Sequence, residues 1–554
     1  HVYPHCWRSG DELVYKMVDE WYINMDWRNE IKSVVSDINW IPEWGHDREM
    51  EWLDNMGDWM ISKKRFWGLA LPIWTFEDGS FYVVGSKQEL KELAVEGWDE
   101  FEGNSPHRPW IDRVKIKHPE SGLIGTRIPD VGNPWLDAGI VPYSTLNYSQ
   151  DKEYWNKWFP ADFVVECFPG QFRNWFYSLL AMSTMMEGKA PFKTLLGHAL
   201  VKDETGRDMH KSWGNAIWFE DAAEKMGVDV MRWMYASQNP ERNLLFGYSI
   251  ADEVRKKIIT LWNTYSFFVT YANLDEYDPS QEIDRAGLTK LDNWLLSKVD
   301  QLSIRANDLY KGFKVYALMD EIDEFLDDLS NWYIRRNRRR FWKSENDNDK
   351  NAAYYTLHTT LMKYLKIVSP VIPFISDYMY QNLNMSSSKS IHLEDYPLSE
   401  KDSINTKLIQ EIDTLIEVIS LGRSARNKAN IKIRQPLSEV VIYAHDKLYK
   451  DYLLNNENDI LEELNVKKIR FIEKPEKIVS IKIKPDFQIL GQRFNKNMKD
   501  VLSKINQLDF SILKNIVDNK KTNYQISKDF RIDYTDFIVE EIPNEGFEVS
   551  SNNS

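Results

Sequence analysis

Apolar and polar positions follow two different rhythms along this chain. Up to about residue 250, short apolar runs such as Ala161 to Cys167 and Thr194 to Val201 alternate with helical stretches and with breaks rich in Gly, Pro and Asp. Strands covered on both faces read as continuous apolar runs, so this pattern predicts a parallel-sheet α/β region. From about Ile283 to Leu383 the apolar residues recur at spacings of three and four instead: Leu291, Leu295 and Val299, then Leu318, Ile322, Phe325 and Leu329. Such stripes lie on one helix face, and with few turn residues inside each run they predict a helical bundle. A Ser-rich break at residues 386–390 is followed by a further amphipathic helix, about Thr406 to Asn427. Beyond Pro436, alternation at Val440 to Tyr443 and Val479 to Ile483 predicts strands among helical stretches such as Tyr449 to Leu464.

The fold class expected is multidomain: α/β over residues 1–250, an all-α helical bundle over 251–440 and a small α+β module over 441–554. Length agrees, since 554 residues exceed what one core usually supports. Tryptophan marks the same division: 19 of the 22 lie at or before Trp262, and none follows Trp342. The longest apolar stretch, around Tyr177 to Met186, is half a bilayer span, so no membrane protein is expected. Two cysteines, Cys6 and Cys167, cannot build a disulfide framework in a chain this size, which fits a reducing cytoplasm. A net charge of −15 argues against a protein that coats nucleic acid, although a local arginine cluster can still hold a phosphate backbone.

The chemistry concentrates in Gly206-Arg-Asp-Met-His-Lys-Ser-Trp-Gly-Asn215, which follows an apparent strand and the turn Asp203-Glu-Thr-Gly206. A lone lysine in a polar loop is usually a solvated charge. This loop, however, resembles the KMSKS loop, the second signature of class I aminoacyl-tRNA synthetases, which reads GRKMSKSLGN in the isoleucine, valine and leucine subgroup. Asp208 stands where that pattern has its first lysine, and His210 where it has its first serine. The resemblance continues in family order. Tyr3-Pro-His-Cys-Trp-Arg8, Asp58-Trp-Met-Ile-Ser-Lys-Lys-Arg-Phe-Trp-Gly68 and Leu71-Pro-Ile-Trp74 are similar to the segment after the editing insertion of isoleucyl members. Asn133-Pro-Trp-Leu-Asp-Ala-Gly139 is similar to VWFDSG, and Glu166 to Phe176 to EGIDQTRGWF, with one extra residue before Gln171 and Gly170 in place of an aspartate. Gly422-Arg-Ser-Ala-Arg-Asn-Lys-Ala-Asn-Ile-Lys-Ile-Arg-Gln-Pro436 resembles a stretch in which isoleucyl members differ from valyl and leucyl ones.

The resemblance implies a Rossmann-like catalytic half, an anticodon-binding bundle and a ligase that activates L-isoleucine with ATP and Mg2+ and transfers it to tRNA(Ile), as a monomer. It implies Lys211 and His210 as catalytic residues, and Met209, Lys211, Ser212 and His198 as ATP contacts. Glu166 and Gln171 become adenylate contacts, with Trp135 and Trp175 as walls of the isoleucine pocket. Two indoles suit a branched aliphatic side chain, whose burial contributes about 1.5–3 kcal/mol. A His at position 210, titrating near neutral pH, would make the step pH-sensitive. Trp332, Arg335, Arg336 and Arg339, in a run of five arginines interleaved with aromatics, become tRNA contacts. No structural metal is expected, because the cysteine pair usual after the LPIW stretch is missing.

No HIGH-type signature occurs in the chain, so it reads as a piece lacking the N-terminal half of the active site, with any editing domain before His1. Two alternatives stay open: a synthetase-derived tRNA-binding protein without catalysis, and a valyl ligase.

Overall fold

The computed structural model describes residues 3–6, 9–14, 16–343, 347–384, 388–444, 446–474 and 477–551. Trp7 and Arg8 of the first matched stretch, and Ser386 and Ser387 of the Ser-rich break, lie outside them. The chain divides into two compact units: His1–Ile258 with Leu309–Asp320, and Ile259–Asp308 with Glu321–Ser554.

In the first unit, β1 (Asn39–Ile41), β2 (Ala161–Cys167) and β3 (Phe192–His198) form a parallel sheet with β3 in the centre. Helices α1 (Trp44–Asn55), α2 (Pro134–Gly139) and α3 (Trp175–Glu187) accompany it. The apolar stretch at Tyr177 is the middle of α3, with every residue from Phe176 to Ser183 buried. No described helix is long and apolar enough to cross a membrane. Two close approaches fix the packing. A Cβ on Gly139 would sit 2.7 Å from the Ser178 carbonyl, and one on Gly197 about 2 Å from the Phe168 ring, so both positions require glycine. Phe168 thereby lies over β3, within a core that includes Trp40, Leu53, Phe176, Phe192 and Leu195.

The α/β expectation for residues 1–250 needs one correction. Between β1 and β2, five short strands over residues 73–127 form an antiparallel sheet, in the order Phe81–Val83, Ile73–Thr75, Ile124–Arg127, Lys115–Lys117, Ala94–Glu96. It carries its own core of Trp74, Phe101, Val114 and Ile116. Strands of three or four residues are too short to display a period, which is why the hydropathy pattern does not separate this sheet. The second apolar run also breaks: β3 ends at His198, and β4 (Val201–Asp203) begins a separate parallel pair with β5 (Leu244–Phe246). Helix α4 (Tyr248–Leu274) follows.

The second unit contains α5 (Lys290–Lys311) as far as Asp308, a wider π-helical segment Asp328–Ile334, α6 (Arg335–Trp342), Asn348–Val368, Pro373–Leu383 and α7 (Thr406–Lys428). Of the residues in the predicted stripe, Leu295, Val299, Leu318, Ile322, Phe325 and Leu329 are buried. The helical stretch at Tyr449 to Leu464 is two helices, Lys447–Asn455 and α8 (Glu457–Leu464). Asn456 stands at the break, donating from its amide to Tyr452 O (2.7 Å) and Glu411 (2.9 Å). Val440–Tyr443 pairs in parallel with Ile469–Ile472, and Val479–Pro485 antiparallel with Phe537–Pro543, beside a small core of Leu490, Val501, Ile505, Ile516 and Ile532.

Candidate functional site

The loop Gly206–Asn215 leaves the end of β4 and is tied down by one carboxylate. Buried Asp203 accepts from Thr205 N (3.0 Å), Thr205 Oγ1 (2.7 Å), Arg207 N (2.9 Å) and Asn215 Nδ2 (2.9 Å). These hydrogen bonds, the Thr205 hydroxyl first, hold its carboxyl well below the usual carboxylate range. Gly206, at φ +85°, makes the turn that lets the chain double back. Asn215 closes the far end, donating to the Asp208 carbonyl (2.8 Å) and accepting from His210 N (3.0 Å). The loop is therefore a short, braced excursion.

At its tip, Lys211 begins a 3-10 turn ended by Gly214 at φ +72°. The Lys211 ammonium is exposed, lies 4.2 Å from the Trp218 ring centroid, and pairs with no carboxylate among the described residues. His210 is exposed and meets Trp213 edge-on at 4.2 Å; Ser212 is exposed and Met209 half-buried. Asp208 is engaged elsewhere, in a salt bridge to Lys202 on β4. Asp203, Lys202 and Trp218, which the motif does not single out, are thus the loop's supports. Only the Asp203-Glu-Thr-Gly206 turn hints at the first of them.

The parallel register sets Glu166 beside Gly197 and Cys167 beside His198 at the carboxyl ends of β2 and β3, the edge where open α/β sheets take ligands. Glu166 turns back to accept from Cys167 N (2.7 Å), and the His198 ring bonds the Ala199 carbonyl (2.7 Å). Gln171 accepts from Trp175 N (3.3 Å) at the start of α3. Trp135 is placed by its helix start: Asn133 Oδ1 accepts from Trp135 N (3.0 Å), with Pro134 in the first turn. It lines a cleft of about 440 Å³ with Trp52, Trp59, Tyr177, Arg65 and Arg173. Trp175 is not in that lining; it packs on the core. The two indoles carried over as walls of one pocket are therefore not brought together there. No group of three His, Cys, Asp or Glu that could hold a metal ion occurs among the described residues.

The arginine run divides along α6. Trp332 is 4% exposed, with the Arg336 guanidinium 5.0 Å from its ring, so its indole is covered and cannot stack on a base. Arg335 and Arg336 each donate to Glu463 of α8 at 2.8 Å, and Arg336 also pairs with Asp459. Arg340 makes a two-pronged contact to Asp292, at 2.8 and 2.9 Å. Arg338 and Arg339 are exposed, with no carboxylate paired to either among the described residues.

Residues 8–246 match the family model for class I tRNA synthetases (I, L, M and V), and residues 292–442 the model for the anticodon-binding domain of tRNA ligases. The chain is 37% identical over 534 residues to an isoleucine–tRNA ligase of Clostridium novyi, covering 94% of this chain and 50% of that protein. It is 36% identical to one of Thermus thermophilus, covering 90% and 48%, and 34% identical to one of Methanothermobacter marburgensis, covering 96% and 51%. The chain thus spans about half the length of the curated relatives it matches. Among solved structures, a Mycobacterium tuberculosis methionyl-tRNA synthetase in complex with methionyl-adenylate shares the fold, with a TM-score of 0.51 at 16% identity over 70% of this chain and 68% of that one.

Proposed function

The chain belongs to the class I tRNA synthetases, and from that premise we propose that it serves an isoleucine–tRNA ligase. In this reading the carboxylate of L-isoleucine attacks the α-phosphorus of ATP in the cytoplasm. Pyrophosphate leaves, and the isoleucyl group passes from the adenylate to the terminal ribose of tRNA(Ile).

The observation that carries the reading is Lys211. Its ammonium is exposed and unclaimed by any described carboxylate, on a loop braced by Asp203 and Asn215. A cation so held can meet the charge that grows on phosphate oxygens in the transition state, without first breaking an internal ion pair. His210 offers a neighbouring donor, and Met209 and Ser212 flank the nucleotide. His198, Glu166 and Gln171 lie at or just beyond the strand ends, facing the nucleotide and adenylate. The cleft at Trp135 offers the rings of Trp52, Trp59 and Tyr177 to an aliphatic side chain, with Lys63, Arg65 and Arg173 beside them. Magnesium would arrive on the ATP phosphates, since the described residues converge on no carboxylate cage. Arg339, exposed like Arg338 and paired with no described carboxylate, is a cation that can meet a tRNA phosphate.

The test is isoleucine-dependent ATP–pyrophosphate exchange by the complete protein and its Lys211→Ala variant. A loss of about 100-fold, the scale of one transition-state donor, supports the ligase. Valine-dependent exchange would point to a valyl enzyme. No exchange with any branched amino acid, while tRNA is still bound, would leave the tRNA-binding alternative.

A further inference from the structure

Asp208 is the residue that the ligase reading leaves unexplained, since a negative charge three positions before Lys211 opposes phosphate binding. We infer that Lys202 and Asp208 are a positioning pair for the Lys211 loop, the strand lysine cancelling the loop aspartate and anchoring the backbone that presents Lys211. This inference rests on the proposed ligase reading for its consequence in catalysis, but its geometry stands alone.

Three observations support it. Lys202 and Asp208 face each other across an antiparallel bridge, so their backbones are already in register when their side chains pair. The Lys202 side chain is 14% exposed and that of Asp208 52%, which makes the lysine the fixed member and the aspartate the one drawn to it. Asp208 is also held through its carbonyl by Asn215, whose Oδ1 takes the His210 N–H. Asp208, three residues before Lys211, is thus tied to both ends of the loop.

The charges sort in the same way. Arg207 lies 3.4 Å from Asp203, Lys202 engages Asp208, and Lys211 is the loop cation left over. A half-exposed ion pair adds little to global stability, so holding the fold together is a poor account of this one. Holding the tip is a better one. A lysine at 208, as in the loops this one resembles, would here meet the ammonium of Lys202, and moving toward the family sequence should therefore impair the protein.

The experiment compares Asp208→Lys, Lys202→Asp and the double exchange in the complete protein, by pyrophosphate exchange, amide hydrogen exchange over residues 204–215 and thermal melting. Each single change is expected to lower kcat about tenfold with KM for ATP within about twofold, because the lysine tip is misplaced rather than removed. Amide exchange in the loop should accelerate about tenfold in both, with melting unchanged. The double exchange should restore kcat and protection to within about threefold, the scale of an imperfectly rebuilt surface pair. An Asp208→Lys protein as active and as protected as the parent would overturn the inference, as would a double exchange no better than the singles. If the parent shows no exchange with any branched amino acid, the ligase reading fails. Amide protection then decides the pair alone, unchanged protection in the singles refuting it.

Discussion

Two stretches of this chain concentrate positive charge, and they are built in opposite ways. In the loop at Gly206–Asn215 the acidic residues are satisfied locally, and one cation, Lys211, is left exposed against an indole face. In the helix Arg335–Trp342 the cations are spent: Arg335 and Arg336 on Glu463, and Arg340 on Asp292, with Arg338 and Arg339 remaining at the surface. Both read alike in sequence as basic clusters beside aromatic residues. What separates them is the supply of carboxylates from elsewhere in the fold. A cation becomes available to a ligand only when its neighbours' charges have been matched without it.

The largest effect that could break this contrast lies at Asp292. This fully buried carboxylate takes both prongs of Arg340, the Tyr333 hydroxyl (2.6 Å) and Thr289 N and Oγ1 (2.8 Å each). Burial pushes its carboxyl up, but Arg340, the Tyr333 hydroxyl and Thr289 N together outweigh that and hold it below the usual range. Replacing it with alanine takes the shared acceptor from Arg340, Tyr333 and Thr289 and leaves the Arg340 guanidinium with Asp349 as its only carboxylate among the described residues, and should destabilise the helical unit by about 3–5 kcal/mol in denaturant unfolding. A change below 1 kcal/mol would mean that the arginines are not structural. Lys211→Ala is the mirror image: about 100-fold in pyrophosphate exchange, yet unfolding within about 0.5 kcal/mol of the parent.

How far this contrast was legible in the sequence depends on the reach of the contacts involved. The loop announces itself because its chemistry is local, with Asp203, Gly206, Lys211 and Asn215 all within 13 consecutive residues. The pairing of Arg335 with Glu463 spans 128 positions, and no periodicity or motif carries it. Trp332 looked like a stacking surface because an indole is equally at home in a core, and only its neighbours decide. The bond by which Gln171 Oε1 accepts from Trp175 N, at the start of its own following helix, is local, yet no motif displays it. The helical stripes over Leu295 to Leu329 were readable since they are long, and the antiparallel sheet over residues 73–127 was not, since its strands hold three or four residues. The helical stretch expected over Tyr449 to Leu464 is helical but divides at Asn456, which the amide's reach to Glu411 rewards and the local pattern does not show.

A pH titration sharpens the comparison at intermediate size. Lys298 is shared among Asp328 (3.0 Å), Asp413 (3.2 Å) and Glu324 (3.8 Å), so acids outnumber the buried base. Burial pushes the Asp328 carboxyl up to about 6, with Lys298 opposing and Asp413 and Glu324 adding to the rise. Unfolded, the same group titrates near ~3.9. Its folded pKa is therefore the higher one: the stability it lends is complete below about pH 4 and is lost as pH rises through about 6. Unfolding free energy of the helical unit should fall by roughly 2 kcal/mol over that window on this account, and Asp328→Asn should flatten the slope. A slope that survives the substitution would assign it to another carboxyl.

The smallest effect is the most specific test, because it sets two neighbours on one helix against each other. Arg339 is exposed and without a described partner, whereas Arg336 lies over Trp332 and bonds Glu463 and Asp459. If the surface arginine meets a phosphate, Arg339→Ala should weaken tRNA binding about two- to fivefold at moderate salt and lower the slope of log affinity against log salt by about 0.7–0.9, the share of one phosphate. Melting should not move. Arg336→Ala should do the reverse: it strips Glu463 and Asp459 of a shared partner, so the unit loses about 1–3 kcal/mol of stability while the salt slope of binding stays where it was. Binding isotherms at four salt concentrations, with melts on the same samples, separate the two. Should Arg336→Ala instead reduce the salt slope at unchanged melting temperature, its ion pairs would have to open for tRNA, and the division between spent and available cations would have to be redrawn along this helix.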